Sequence, residues 1–330
     1  MLTFWSLVLI WSFGQNPKAD KPGDAPQKPA EPVKTEPKAE SAAPKAPPPE
    51  VDSEHDKFIK AQADKLDKIA SVSAEVVYSN RSQDQLVQQK GVYKIGPNNR
   101  IRMELAFGEG PTGGKRLSVC DGSTAYTIQE FGESKFGSSV KMDRVKPLLD
   151  DKNMTNEMRN QIWNSLVPYQ KPGEMLRGFI GTMTFTERKE DKLGERDVVK
   201  LEGRWRKSAV NVLAGGDATK TFEDIDPRVP RYMTLVLDKQ TGWPLQMEMF
   251  QRVPEGVVKP FISMKFSKLV INQTLPDADF KYTPPSTMNL QDLTPQIESG
   301  LKRFLDSEAA RKASEKKPAE KTPAEPAKKP

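Results

Sequence analysis

The chain has 330 residues, a formal net charge of +6 and 36% hydrophobic residues, with one Cys and one His. A single Cys excludes an intramolecular disulfide and a Cys-based zinc site, and a single His leaves Ser-His-Asp, Cys-His and His-rich metal chemistry to His55 alone. Of the 28 Pro, ten fall between Pro17 and Pro49 and four between Pro318 and Pro330, so the low hydrophobic content averages one large folded domain with two solvated arms.

Residues 2–13, LTFWSLVLIWSF, are an uncharged, largely apolar run. A run of this length is shorter than the roughly 20 residues a membrane-spanning helix needs. It fits the core of a secretory signal, with Ser12-Phe13-Gly14 as a small-x-small cleavage site and no Lys or Arg before it. Residues 1–15 are therefore expected to direct export, to the periplasm or cell envelope. Residues 16–50 carry six Lys against six acidic groups and almost no large apolar side chain. Such a segment cannot offset its ordering entropy and is expected to be a disordered, polyproline-biased tether.

A first helix is predicted over 54–71, where Phe58, Ile59, Leu66, Ile69 and Ala70 recur at helical spacing. Glu54 and Asp56 around His55 read as its solvated start. Strands follow at Val87–Ile95, ending on the turn Gly96-Pro97-Asn98-Asn99, and at Arg100–Ala106, where Ile101, Met103 and Leu105 alternate with Arg100, Arg102 and Glu104. Leu117–Cys120 and Thr124–Ile128 form a hairpin about Asp121-Gly122. A helical insert carries Met154, Met158, Ile162 and Leu166 at helical spacing, with a second short helix over Gly173–Ile180. Strands resume at Thr182–Arg188, Val198–Glu202, Met233–Leu237, Leu245–Phe250 and Ile262–Phe266, with Gln240-Thr241-Gly242 as a turn. This is an antiparallel meander. A C-terminal helix over 291–307 starts at Thr294-Pro295 and presents Ile297, Leu301 and Phe304. A disordered tail, 308–330, carries seven basic and four acidic groups.

Several motifs resolve into ordinary structure. Gly108-Glu-Gly110-Pro-Thr-Gly113 has the letters of a dinucleotide loop, but it contains Pro111 and leads into a hairpin, not a helix. Asp121 reads as a turn residue, Asp224 and Asp226 as loop charges, and Cys120 as a small buried side chain. Arg204-Trp205-Arg206-Lys207 reads as a solvated loop, with docking of an anionic headgroup or partner as the alternative. Carboxylates are numerous, but none is singled out as half of a hydrolytic pair.

Methionine is the least ordinary feature. Six of the 12 Met fall in predicted strands: Met103, Met183, Met233, Met247, Met249 and Met264. Residues of the same parity include Ile101, Leu105, Phe185, Leu235, Leu237, Leu245, Ile262 and Phe266. One face of the sheet is therefore apolar and adaptable, because thioethers repack easily around varied shapes. Such a stripe serves either a core or a ligand pocket.

The runs YKIGPNNRIRMEL, LSVCDGSTAYTI, VKPLLDD and LPDADFKYTPP, in this order, resemble the LolA/LolB-like superfamily of lipoprotein-sorting and lipid-carrying proteins over roughly residues 55–290. Phe280, Tyr282, Pro284 and Pro285 match its closing motif. Carriers in the superfamily often have an Arg directly before the strand-ending Pro; here Gly96, preceded by Ile95, holds that place. The resemblance implies an α+β fold, an incomplete antiparallel barrel over 51–290 whose concave side is covered by helices and receives acyl chains.

On this basis the expected lipid-binding residues are Ile101, Met103, Leu105, Met183, Phe185, Met233, Leu235, Met247, Met249, Met264 and Phe266. The expected lid residues are Phe58, Leu66, Met158 and Ile162. No catalytic residue, metal or cofactor is expected. The expected partner is a lipid or lipoprotein acyl chain, with the arms meeting envelope membrane or polymer; no nucleic-acid partner is expected, and the protein is expected to be a monomer. The alternative is an envelope interaction or stress-sensing module of the same fold with a filled core.

Overall fold

The computed structural model describes residues 53–82, 85–108, 113–167, 172–217, 219–226, 229–252 and 258–315. The expected leader, the tether, most of the tail and the centre of the Gly108–Gly113 loop lie outside the described residues. From Ser53 onward the chain forms one compact unit.

The elements in chain order begin with helix α1 (Glu54–Leu66) and the strands β1 (Val72–Ser82), β2 (Gln85–Gly96), β3 (Arg100–Phe107), β4 (Gly114–Cys120), β5 (Thr124–Phe131) and β6 (Ser134–Lys141). Three helices follow: α2 (Met142–Leu149), α3 (Asn156–Leu166) and α4 (Pro172–Thr182). Then come β7 (Met183–Leu193), β8 (Arg196–Trp205), α5 (Lys207–Leu213), β9 (Tyr232–Asp238), β10 (Pro244–Arg252), β11 (Val258–Ile271), β12 (Asn289–Asp292) and α6 (Thr294–Glu315). All twelve strands share one sheet in the order β12-β6-β5-β4-β3-β2-β1-β11-β10-β9-β8-β7. Two meanders, β1–β6 and β7–β11, are stitched into one sheet by the antiparallel pair β1–β11, from Val72↔Ile271 to Asn80↔Ile262. The sheet does not close: β12 and β7 are its free edges. This is the α+β half-barrel architecture that the LolA/LolB-like resemblance implies.

Local chemistry explains the turns. Asn98 and Asn99 both adopt positive φ, 58° and 62°, as a tight primed hairpin turn requires. The Asp121 carboxylate accepts from the Ser123 and Thr124 backbone N–H groups and from the Ser123 hydroxyl, each at 2.8 Å, and Gly122 takes φ 100°. Asp121 is thus the turn residue expected. Gly91 is dictated by close approach: a Cβ there would stand 1.7 Å from the Glu104 carbonyl oxygen on β3. Phe280 packs over Gly96, where a Cβ would lie 2.9 Å from the ring, and the Arg100 guanidinium lies over the same ring, 5.0 Å from its centre.

Several boundaries differ from expectation. The first helix stops at Leu66, so Ile69 and Ala70 leave the helical stripe; the Ala70 N–H is held instead by Asn272 at 2.9 Å. β1, β6 and β12 were not anticipated. β12 pairs parallel to β6 and leads into α6, so the C-terminal helix is attached through the sheet and runs to Glu315, past the expected end at 307. Its buried residues are Thr294, Leu301 and Leu305, while Ile297 and Phe304 are half-buried. β4 is covered on both faces, because Leu117 and Val119 pack with Ile128, Tyr126, Tyr282, Met288 and Leu290 on the outside.

The Gly91→Ala variant should lose about 1–3 kcal/mol of stability through overpacking. At Gly178, in the exposed interior of α4 with open space at its Cβ position, Ala should instead add about 0.5–1 kcal/mol. Equilibrium urea unfolding of both variants checks the pair.

Candidate functional site

Register determines which side chains share a face. On β3 the alternation is strict, and Ile101, Met103 and Leu105 are the buried positions. Met103 pairs with Tyr93 of β2, Tyr78 of β1 with Met264 of β11, Met264 with Met247 of β10, Met247 with Leu235 of β9, and Leu235 with Leu201 of β8. Directly paired residues point to the same side. The second row runs from Ile262 through Met249 and Met233 to Gly203 and Phe185.

The structure therefore brings the eleven residues Ile101, Met103, Leu105, Met183, Phe185, Met233, Leu235, Met247, Met249, Met264 and Phe266 onto buried inner positions, none more than 8% exposed. Gly203 leaves room for the Phe185 ring, 2.9 Å from where a Cβ would stand.

Sequence reasoning missed the aromatic centre of this face. Trp243, in the β9–β10 turn, lies 6.0 Å from Tyr93 and 5.7 Å from Phe266, and those two rings are 5.2 Å apart. All three are buried. The turn itself is shaped by Asp238, whose carboxylate accepts from the Gln240 and Thr241 backbone and the Thr241 hydroxyl, and pairs with Arg196 at 3.1 Å. Gly242 at φ 76° lies against Gln62 of α1, so the turn reaches the covering helix.

Two helices form the cover. α1 buries Ile59, Ala63 and Leu66; α4 buries Leu176, Phe179 and Ile180. Gly173 permits their contact: a Cβ would lie 2.3 Å from the Asp67 carboxylate and 2.8 Å from the Ala63 carbonyl. Arg177 of α4 donates to Asp64 of α1 at 2.7 Å, to Asp67 just past the end of α1 at 2.6 Å, and to Glu174 at 3.0 Å.

Beneath this exposed clamp lies a buried one. Arg206 donates to the Asp56 carboxylate at 2.6 Å and to the carbonyls of Ile180 and Met183 at 2.8 and 3.0 Å. One guanidinium thus ties α1, α4 and β7 together. Two expectations are corrected here: Arg206 is not in a solvated loop, and Asp56 does not start a solvated helix, since it is 1% exposed. Trp205 is likewise buried, with its indole N–H donating to the Pro230 carbonyl at 2.6 Å.

The expected lid residues are placed unevenly. Leu66 is buried, Phe58 is half-buried with Arg188 of β7 over its ring at 4.8 Å, and Met158 and Ile162 are half-buried. Near α3 the buried side chains are Met154, Trp163 and Val167. A separate shallow cleft of about 180 Å³ lies on the outer face, floored by Ser79 and Ser263 and flanked by Leu86 and Phe261.

Reactive groups are few. Cys120 is buried, and burial pushes its thiol up to about 11. Among the described residues no cluster of three or more His, Cys, Asp or Glu is placed to hold a metal ion.

No protein-family model and no curated protein matches the chain. Solved structures to which it is similar include MucB in complex with MucA from Pseudomonas aeruginosa (13% identity, 68% of this chain and 61% of that one, TM-score 0.36). Others are LprF from Mycobacterium bovis (12%, 67% and 94%, TM-score 0.32) and the lipoprotein LppX from Mycobacterium tuberculosis (11%, 67% and 98%, TM-score 0.27). The chain spans about three fifths of the MucB chain. These likenesses are distant, and the half-barrel assignment rests on the strand order and register above.

Truncating Asp56 to Ala leaves Arg206 buried without its carboxylate, and should cost about 3–5 kcal/mol in chemical unfolding. A second expectation concerns pH. Burial alone would raise the Asp238 carboxyl, but hydrogen bonds from Thr241 and the Arg196 guanidinium outweigh it and hold it below the usual range. A depressed folded-state pKa stabilises fully above the unfolded value, about pH 4, and the contribution is lost as pH falls through the folded value. The stability advantage of the native chain over Asp238→Asn, measured by thermal unfolding, should therefore shrink from pH 6 to pH 2.

Proposed function

We propose that this protein is a non-enzymatic, exported carrier or receptor that holds a lipid, or the acyl chain of a lipoprotein, against the inner face of its half-barrel. The observation that carries this reading is the broad, mainly apolar surface shared by β3 and β7–β11, with six thioethers 0–7% exposed. Acyl burial supplies about 25 cal/mol per Å² removed from water, and flexible Met side chains can re-form around different chains. In the conformation described the face is covered, so loading requires α1 and α4 to move off it. Reclosure onto the face provides the competing state that favours release. Export rests on the apolar run at residues 2–13.

The filled-core reading, an envelope interaction or sensing module, is favoured by the Trp243–Tyr93–Phe266 cluster, which occupies the centre of the face. The two readings differ in whether the cover opens. Organic extracts of the purified protein, analysed by mass spectrometry, are expected to contain a co-purifying lipid. Arg177→Ala, which releases α4 from Asp64 and Asp67, should speed uptake of a fluorescent fatty acid. Lipid-free extracts together with an unresponsive probe would establish the filled core instead.

A further inference from the structure

The inner face is not apolar throughout. At its β1–β4 end four polar side chains turn inward: Tyr78 and Asn80 on β1, Gln89 on β2 and Arg116 on β4. Tyr78 is directly paired with Gln89, and Asn80 lies two residues further along the same side of β1. Arg116 pairs with Leu105, which pairs with Gly91. Arg116 therefore faces β1 with only Leu105 between them along this line, since position 91 has no side chain. The Arg116 charge is felt at Tyr78, where burial raises the phenol pKa and the guanidinium lowers it in part. Tyr78, Gln89 and Arg116 are 5%, 1% and 6% exposed. The Gln89 Oε1 and Asn80 Oδ1 atoms are buried acceptors without a donor. Such atoms are costly unless something supplies a hydrogen bond.

The same register makes this polar corner continuous with the apolar rows. From Gln89 the line passes through Tyr78, Met264, Met247 and Leu235 to Leu201. From Tyr78, four inter-strand steps at about 4.8 Å give roughly 19 Å of floor, apolar from Met264 onward, leading away from one polar end. A ligand matched to it carries an acyl chain on one side. On the other it carries a head with an anion for Arg116 and N–H or O–H donors for the two amide oxygens.

We propose that Tyr78, Asn80, Gln89 and Arg116 form a headgroup subsite for a phosphodiester lipid whose head also bears hydrogen-bond donors, an ammonium or hydroxyl group. This rests on the carrier reading and adds a selectivity that the apolar rows cannot provide.

The test displaces a fluorescent fatty acid from the full-length protein with short-chain, monomeric lipids of equal chain length. Phosphatidylethanolamine and phosphatidylglycerol offer anion and donors, phosphatidylcholine the anion without donors, and diacylglycerol a hydroxyl donor without the anion. The first two should bind about 10-fold more tightly than the last two, since hydrogen bonds involving charged groups are the stronger class. A preference between the two identifies ammonium or hydroxyl as the donor. Arg116→Gln should remove the advantage over diacylglycerol, and Gln89→Leu that over phosphatidylcholine, each in protein with native-like circular dichroism. Deacylated glycerophosphoethanolamine should displace the probe only at far higher concentration, and equal potency would overturn the lipid assignment. Equal binding of all four lipids to the unaltered protein would overturn the subsite and leave the carrier reading standing. Failure of every lipid and of the probe itself would overturn both.

Discussion

An open sheet with one apolar face must be covered, and here a single guanidinium organises the cover. Twelve strands curl without closing, so the inner face gains no shelter from its own edges. Arg206 links the first turn of α1 to the end of α4 and the start of β7 through one carboxylate and two carbonyls. Removing any one of these partners leaves a buried polar group unsatisfied, which makes the clamp specific as well as strong. The placement of α1 over the Trp243 turn and the close approach of α1 to α4 at Gly173 both accompany it.

The topology calls for such a cover. β6 lies near one end of the sheet and β7 forms the other, so the connection between them must traverse the sheet's width. The insert α2–α4 makes that passage. At its start α2 is tied to α6 by Arg144 and Glu298, with one contact at 2.8 Å. At its end α4 is tied to α1. The cover is held by ion pairs at the α1–α4 end, over a surface rich in thioethers.

Much of the fold was legible from local pattern. Alternation in Arg100–Phe107 and Tyr232–Asp238, the Asn98-Asn99 and Asp121-Gly122 turns, and helical spacing in α3 and α4 identify elements because each depends on a few adjacent residues. β6 was not legible: SKFGSSVK has no apolar alternation, and its strand character comes from pairing with β5 and β12. β1 lies between a helix and a hairpin, and its significance is long-range, since it joins the two meanders through β11.

The inner face itself was written in the sequence, because the side-chain period of a strand is two and the parity of the Met, Leu and Phe residues is preserved by antiparallel pairing. What only tertiary structure decided was which polar residues joined that face or its cover. Arg206 and Asp56 sit in charged runs that look solvated, yet 150 residues apart they meet at 2.6 Å. Arg116 and Gln89 look like ordinary outward charges and amides until register turns them inward. Burial of a charge depends on what lies across from it, and local periodicity contains no information about that partner.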